Sequence, residues 1–419
     1  MKVVVLGAGV IGVTTAWWLA REGADVVVVE RQRGPALETS FANGGQISVN
    51  HATPWAAPST PWKALRWLGR VDAPLLFHPR FDPALFAWLT RFLANCTRER
   101  VRLNTERILR VALYSRRLLG LVRAETDIAY DRLGRGILHI FRDRAEYDAA
   151  LPSVELMSRL GCERRIVDAA GCVALEPALA TVERDLVGGM FSPNDESGDA
   201  YAFTVGLAEK AHERGVMFLW NETISRLRAS GDAIAAVETK SGEEITGDVF
   251  VVALGSYAPL MLKPLGIALP VYPAKGYSVT IPIAGHAGVP TVSLIDDAYK
   301  MVYSRLGERL RIAGTAEFTG YDATVTPRRA RFLLETAMKL FPDGGDASRA
   351  EFWAGLRPST PDGVPVIGRA PRFRNLVLNS GHGTLGWTMA AGTGRLAADL
   401  ALGQPTEIPL EGLGLERFG

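Results

Sequence analysis

Apolar residues 3–6 and 26–29 form short unbroken runs, the pattern of strands buried on both faces of a parallel sheet. Between them, residues 10–22 repeat with helical period, and Gly23-Ala24 supplies a turn, so the chain opens on a predicted strand–helix–strand unit. A helix over 201–214 leads through Gly215 into a strand over 216–220. Residues 224–227, 233–239 and 244–246, with turns at Gly231 and Ser241-Gly242, read as a small β-meander. A buried strand over 248–253 ends at Gly255. Residues 270–315 alternate, with β-branched and aromatic enrichment, and predict an antiparallel sheet with a helix over 327–341 laid on it. A last strand over 375–379 runs through a glycine-rich turn into a helix reaching residue 402. The uncharged stretch 3–20 has the length of a membrane span, but Gly7, Gly9 and Gly12 break it and no small-residue cleavage site follows. Stretches 276–295 and 375–394 are broken by Pro, Gly and polar residues, so no integral membrane segment is expected.

The 419 residues are 47% hydrophobic and 22% charged, with net charge +2, which excludes a globally basic nucleic-acid binder. Glycine is in excess, at 43 residues, as where backbone must come close to a ligand. Cys96, Cys162 and Cys172 have no Cys-x-x-Cys spacing and fit a reducing compartment better than a disulfide framework.

Gly7-Ala8-Gly9-Val10-Ile11-Gly12 joins the first strand to the first helix, and Glu30 closes the second strand. This is a dinucleotide-binding fingerprint. Gly7 permits the tight turn, Gly9 lets a pyrophosphate approach the backbone, and Gly12 lets helix and strand pack closely. The helix N-terminus offers N–H groups and positive dipole to the phosphates. Glu30 is expected to accept hydrogen bonds from a ribose, and its charge would repel a 2′-phosphate. The fingerprint does not by itself separate NAD from FAD. A second strand–Gly turn–helix at the far end of the chain favours the longer cofactor, and an NAD protein without flavin is a rival.

At that far end stand Gly355-Leu356-Arg357-Pro358-Ser359-Thr360-Pro361-Asp362-Gly363 and Asn379-Ser380-Gly381-His382-Gly383. With the N-terminal fingerprint, these motifs resemble the FAD-dependent D-amino acid oxidase/glycine oxidase superfamily. Residues 39–48 (Thr-Ser-Phe-Ala-Asn-Gly-Gly-Gln-Ile-Ser), 54–58, 193–199, 270–278 and 381–389 are similar to the bacterial, small-subunit type D-amino acid dehydrogenases. The resemblance runs from about residue 1 to residue 402. One departure is Val49-Asn50-His51-Ala52-Thr53, where that branch more often carries Gly and Pro; substrate choice could differ there.

The resemblance implies a mixed α/β fold, a Rossmann-like FAD-binding domain interleaved with a substrate domain on an antiparallel sheet. Its expected division is 1–76, 150–182, 198–262 and 358–419 for FAD, and 77–149, 183–197 and 263–357 for substrate. It implies non-covalent FAD and oxidative deamination of D-amino acids to 2-oxo acids and ammonia, by hydride transfer from Cα to flavin N5. Electrons would pass to a quinone or other carrier. Expected cofactor-binding residues are Gly7, Gly9, Val10, Ile11, Gly12, Glu30, Arg31, Ser40, Asn43, Gly44, Gly45, Gln46, Ile47, Gly255, Gly381, His382, Gly383, Thr384, Leu385 and Gly386. Arg357 is the expected carboxylate anchor, since a guanidinium is charged and bidentate; the alternative is pairing with Asp362. Tyr277 is a candidate phenol donor to the carboxylate, with Tyr257 and Tyr303 behind it, and Lys275 and Arg305 are reserve cations. His382 either positions the flavin or a lid, or moves a proton; at a helix start it is expected to be neutral. Rival readings are an oxygen-using glycine, sarcosine or imino-acid oxidase, and a tRNA-modification flavoprotein.

Residues 62–123 read as helical and carry thirteen Lys/Arg against four Asp/Glu, with Trp55, Trp62, Trp67 and Trp88 in or just before them. Two readings stand: a structural arm whose arginines pair internally or across a dimer, and a face that meets an anionic membrane surface or a quinone. The implied placement is cytoplasmic, with peripheral attachment to the inner face of the cytoplasmic membrane under the second reading. No nucleic-acid partner is expected. The other histidines, His51, His78, His139, His212 and His286, show no metal-ligand spacing, and no metal is expected.

Overall fold

The computed structural model describes residues 1–67, 73–77 and 81–419. Among these residues the chain builds two large sheets, one of six strands and one of nine. The six-stranded sheet has the order Val366–Arg369, Leu376–Ser380, Val249–Val252, Lys2–Leu6, Asp25–Val29, Met217–Leu219. Its strands pair in parallel except the first two. Lys2–Leu6 and Asp25–Val29 are buried over four consecutive positions each, because helices cover one face of their sheet and the meander with the short helix Ala258–Leu262 covers the other. The meander forms as expected, as an antiparallel sheet of Ile224–Ser230, Ala233–Thr239 and Glu244–Thr246.

Helix Val10–Arg21 packs on helix Gly386–Leu402 at glycine contacts. A methyl group at Gly394 would fall 2.8 Å from Thr14 Oγ1, and one at Gly392 would fall 2.9 Å from Ser115. Thr14 and Trp18 donate to the carbonyls of Ala390 and Ala391, fastening the C-terminal helix to the N-terminal one. Ser115 lies on the helix Arg98–Thr126, which buries Ile108, Leu109, Val111, Ala112, Leu118, Leu119 and Val122 in the same core.

The nine-stranded sheet runs Glu351–Ser359, Tyr272–Pro282, Arg309–Phe318, Met301–Leu306, Ser293–Asp296, Ile137–Phe141, Gly188–Ser192, Arg165–Val167, with Leu75–Phe77 paired to Arg309–Phe318. The antiparallel pairing expected over 270–315 is present, but Ser293–Asp296 pairs in parallel with Ile137–Phe141, and Leu75–Phe77 in parallel with Arg309–Phe318. One face of this sheet is sealed by helix Pro327–Leu340 over Tyr277, Val279, Ile281, Leu310 and Ile312. The opposite face turns toward the six-stranded unit.

Two segments depart from the expected division. Residues 150–182 were assigned to the FAD half, yet Arg165–Val167 is an edge strand of the nine-stranded sheet. The expected substrate segment 77–149 includes the helix Arg98–Thr126, yet that helix packs against helix Gly386–Leu402, which flanks the six-stranded sheet. Periodicity shows that such a helix has an apolar face and not which sheet buries it.

The basic segment is less uniformly helical than its pattern suggests. It holds helices Thr60–Trp67, Pro83–Ala94 and Arg98–Thr126, with the strand Leu75–Phe77 between. Its positions Arg70, Asp72, His78 and Arg80 lie outside the described residues. Arg110 donates to the Glu411 carbonyl at 2.7 Å, Arg117 pairs with Glu407, and Arg123 pairs with Glu196, so part of the arm is structural.

Candidate active site

A cavity of about 1040 Å³ opens between the two sheets. Its walls include Gly7, Gly9, Val10, Ile11, Glu30 and Arg31 from the N-terminal unit, residues of the 39–48 loop, Gly255, Arg357, and His382 through Trp387. Elements far apart in sequence thus meet at one space. Ile47, Gly12 and Gly381 do not line it; Gly12 acts from behind, and Gly381 packs against Thr360.

The glycine turn is shaped by contact. A methyl at Gly12 would sit 1.9 Å from the Gly7 carbonyl oxygen, and Gly7 itself has φ +98°. At Gly9, by contrast, a methyl would meet no atom of the chain nearer than Ser40 Oγ at 3.5 Å. The space over Gly9 is open, and it lies at the start of helix Val10–Arg21, where N–H groups point outward. Those features fit a diphosphate. Ser40 accepts from Val10 N at 3.1 Å, which ties the 39–48 loop to this helix start.

Glu30 accepts from the N–H of Ala8 at 2.8 Å and of Gln32 at 2.9 Å. It therefore braces the glycine turn as well as facing the cavity. Burial pushes its carboxyl above the usual range, against the two N–H bonds that pull it down. Arg31 pairs with Glu38 and stacks over the Tyr257 ring at 4.0 Å.

The 39–48 loop is clasped from the nine-stranded sheet. Arg311, buried, donates to the Asn43 carbonyl at 2.9 Å; Ser304 donates to Gly44 O at 2.8 Å; Gln46 donates to Ser293 and Leu294. Asn43 accepts from Gly45 N, closing the turn. From the other side, Thr388 accepts from Ser48 N. Gly383 N donates to Pro358 O, and Ser380 donates to Gly255 O, so the C-terminal glycine turn, residue 255 and the Arg357 strand form one frame.

Arg357 stands on the cavity face of Glu351–Ser359, opposite Ala274 in register. Its guanidinium donates to the Thr315 carbonyl at 2.8 Å, and among the described residues no carboxylate pairs with it. Asp362, the alternative partner, is taken by Arg417 at 2.8 Å. Burial without a counter-charge pushes the Arg357 pKa down to about 10, which still leaves it charged at neutral pH. Thr315 sits at φ +55° where the strand register shifts, an uncommon conformation for a β-branched residue. That bulge aims its carbonyl at Arg357.

Tyr277 is not brought to Arg357. Side chains alternate between faces, and Arg357 shares its face with Ala274 and Gly276, so Lys275 and Tyr277 point the other way. The Tyr277 hydroxyl bonds Glu317 and Thr326, and Lys275 pairs with Glu317 at 3.0 Å, beneath the sealing helix. Arg305, at a hairpin end, lies 3.8 Å from Glu308 and does not line the cavity. Tyr303 is buried on the sealed face.

His382 lines the cavity, but its Nε2 lies 3.0 Å from Thr393 Oγ1 on the following helix. Burial pushes its pKa down to about 3, so it is neutral.

One group of residues has no counterpart in the sequence reading. His51, Lys63, His139, Arg164, Asp297 and Lys300 line the same cavity, with His139 and the Asp297–Lys300 turn several strands across the sheet from Arg357. His139 Nε2 lies 3.1 Å from Asp297, Lys300 is 2.6 Å from the same carboxylate, and Arg164 is 3.2 Å from His139 Nδ1. Apart from Asp297 and Lys300, which share one turn, they come from separate elements, so local spacing could not reveal the group; the only signal was the unusual His51 segment.

The comparisons with known proteins agree with this construction. The family model for FAD-dependent oxidoreductases matches residues 2–400. The chain belongs to the FAD-dependent oxidoreductase family. It is 58% identical over 419 residues to a D-amino acid dehydrogenase of Paramagnetospirillum magneticum, covering 100% of this chain and 99% of that one. It is 51% identical to a D-amino acid dehydrogenase of Rhizorhabdus wittichii, covering 100% of both. Among solved structures it is similar in fold to glycine oxidase from Geobacillus kaustophilus, with TM-score 0.76, 22% identity, and 99% and 98% of the two chains covered. It is likewise similar in fold to L-proline dehydrogenase from P. horikoshii, with TM-score 0.76, 21% identity, and 100% and 97% covered.

Proposed function

We propose that this chain oxidises D-amino acids to 2-oxo acids and ammonia with non-covalent FAD, and delivers the electrons to a quinone or other carrier at an anionic membrane surface. The observation that carries the substrate reading is Arg357, a cavity-facing guanidinium with a carbonyl for a partner and no carboxylate. An incoming substrate carboxylate would supply the missing counter-charge, and the fork geometry would fix its plane. The names carried by relatives at 58% and 51% identity point to the same substrate class.

FAD would be held by Gly7, Gly9, Val10, Ile11 and Glu30 at its nucleotide end, and by the 39–48 loop, Gly255 and residues 381–386 elsewhere. When bound, FAD supplies the acceptor for the hydride that leaves Cα. The chain's own part is positioning: Arg357 holds the carboxylate, Thr315 holds Arg357, and the framed loops exclude water. Neutral His382, tied to Thr393, keeps the C-terminal glycine turn in place and is not the acid or base of the reaction.

The membrane reading rests on residues around the basic segment. Phe81 is 89% exposed and Trp62 is 70% exposed, with Leu65, Phe86 and Leu93 also exposed on helices that carry Lys63, Arg66 and Arg91. Apolar and cationic side chains together suit the interface of an anionic bilayer. Among the described residues no helix is long and apolar enough to cross a membrane.

The test is a panel of D-amino acids with a dye acceptor, in the presence and absence of oxygen. D-specific turnover with dye and little with oxygen is expected. Arg357→Ala should stay folded and yellow and lose kcat/KM by about 10²–10³-fold, the cost of roughly 3–4 kcal/mol of transition-state binding. Equal turnover of L-enantiomers, or of amines lacking the carboxylate, would overturn the reading.

A further inference from the structure

The substrate-facing side of the nine-stranded sheet presents a continuous row of register partners. Ser278 faces Ala313, Ala313 faces Val302, Val302 faces Ile295, and Ile295 faces His139. Residues in register share a face, so this row is a floor running from Ser278, two residues beyond the Gly276 that lies under the Arg357 guanidinium, to the ionic group across the sheet. Val302 lies two strand spacings, about 10 Å, from Ser278. Its middle is small and apolar. A substrate anchored by its carboxylate at Arg357 and extending its side chain along this floor would run toward Val302 and the turn between Ser293–Asp296 and Met301–Leu306.

That turn ends in Asp297 and Lys300. Lys300 has φ +53°, a left-handed conformation that Gly and Asn adopt readily and a lysine does not. The conformation delivers its ammonium to Asp297 at 2.6 Å and to within 3.8 Å of Glu146. Lys63 reaches the same Glu146 at 2.8 Å. Local strain retained at a cavity wall is what a functional side chain would require.

We propose that Lys300, locked onto Asp297, makes the far end of the cavity reject cationic side chains, so that the site takes D-amino acids whose side chain bears no positive charge. The inference rests on the D-amino acid reading above and adds the side-chain class. With Lys300 on Asp297 and Lys63 on Glu146, neither carboxylate is open to a second ammonium, and the Arg164 guanidinium beside His139 adds positive charge. The same environment acts on His51, which faces His139 edge-on at 5.7 Å. Burial pushes the His51 pKa down to about 3, with His139, then Arg164 and Lys300, helping and Asp297 opposing.

The measurement is kcat/KM for D-lysine against D-norleucine, which has nearly the same length without the charge, using the FAD-loaded enzyme and a dye acceptor. Wild type should strongly prefer D-norleucine. Lys300→Asn relieves the left-handed backbone, removes the charge and frees Asp297. It should raise the D-lysine/D-norleucine ratio at least about tenfold, chiefly through KM, with D-norleucine turnover and melting temperature preserved. Lys300→Arg should restore the rejection. Asp297→Asn provides a second arm and should depress D-lysine further. An unchanged ratio in Lys300→Asn, or wild type using both substrates equally, would overturn the inference while leaving D-amino acid oxidation standing. A wild type that oxidises no D-amino acid would instead overturn the underlying function, and the inference with it.

Discussion

Gly276 and Arg357 occupy each other's space across paired strands: a methyl on Gly276 would lie 2.2 Å from the Arg357 guanidinium carbon. The glycine is the seat of the arginine. Gly276→Ala should displace the guanidinium from Thr315 without unfolding the sheet, since Arg357 is long enough to swing away. KM for the D-amino acid should rise by about 10–100-fold, the range for losing one charge-assisted contact, with FAD content unchanged. Steady-state kinetics beside flavin absorbance check this; an unchanged KM would show that the carboxylate binds elsewhere.

Glu30 both faces the cofactor cradle and holds the N–H groups of Ala8 and Gln32. Glu30→Ala should therefore weaken FAD retention and also lower the stability of the apoprotein, by about 1–3 kcal/mol if both donors lose their partner. Activity should return at high FAD. Denaturation of the cofactor-stripped variant separates the two roles: loss of FAD with an unchanged apoprotein would make Glu30 a ligand contact alone.

His382 and His51 are each pushed down to about 3 by burial. A depressed base binds protons more tightly when unfolded, so the stability it contributes is full above pH about 6.5 and is lost as pH falls toward 3. The slope is about 1.4 kcal/mol per pH unit for each such histidine. Asp195 and Asp399, both raised to about 6 by burial, act in the opposite sense between pH about 6 and 4. A comparison isolates the histidine: His382→Gln, which keeps a hydrogen-bonding group toward Thr393, should lose less stability than wild type between pH 6.5 and 4. Identical pH dependence of urea midpoints would mean that His382 protonates freely in the fold.

If Trp62, Phe81 and Phe86 enter a bilayer interface beside Arg66 and Arg91, the protein should co-sediment with anionic vesicles and not with neutral ones. Added salt should release it as the Debye length shrinks. Replacing the three aromatics by Ser should abolish sedimentation and leave dye-linked turnover intact. Equal binding to both vesicle types would assign the exposed aromatics another role.

The local units of this protein were legible in its sequence because their causes are local. Gly7, Gly9 and Gly12 stand at fixed offsets in one turn, and the unbroken valine runs on either side can only be strands covered on both faces. The meander and the helix Pro327–Leu340 followed from period alone. What tertiary structure decided is which of those units meet and which face each side chain takes. In sequence Arg357 is the expected carboxylate anchor and Tyr277 a candidate beside it, but strand parity puts the Tyr277 hydroxyl under the sealing helix and the Arg357 guanidinium into the cavity. The Arg98–Thr126 helix shows an apolar stripe in sequence; only Gly392 against Ser115 shows which core it joins. The group of His139, Asp297, Lys300 and Arg164 was invisible because its members are drawn together by sheet register and by a single left-handed residue, and long-range pairing leaves no spacing in the chain.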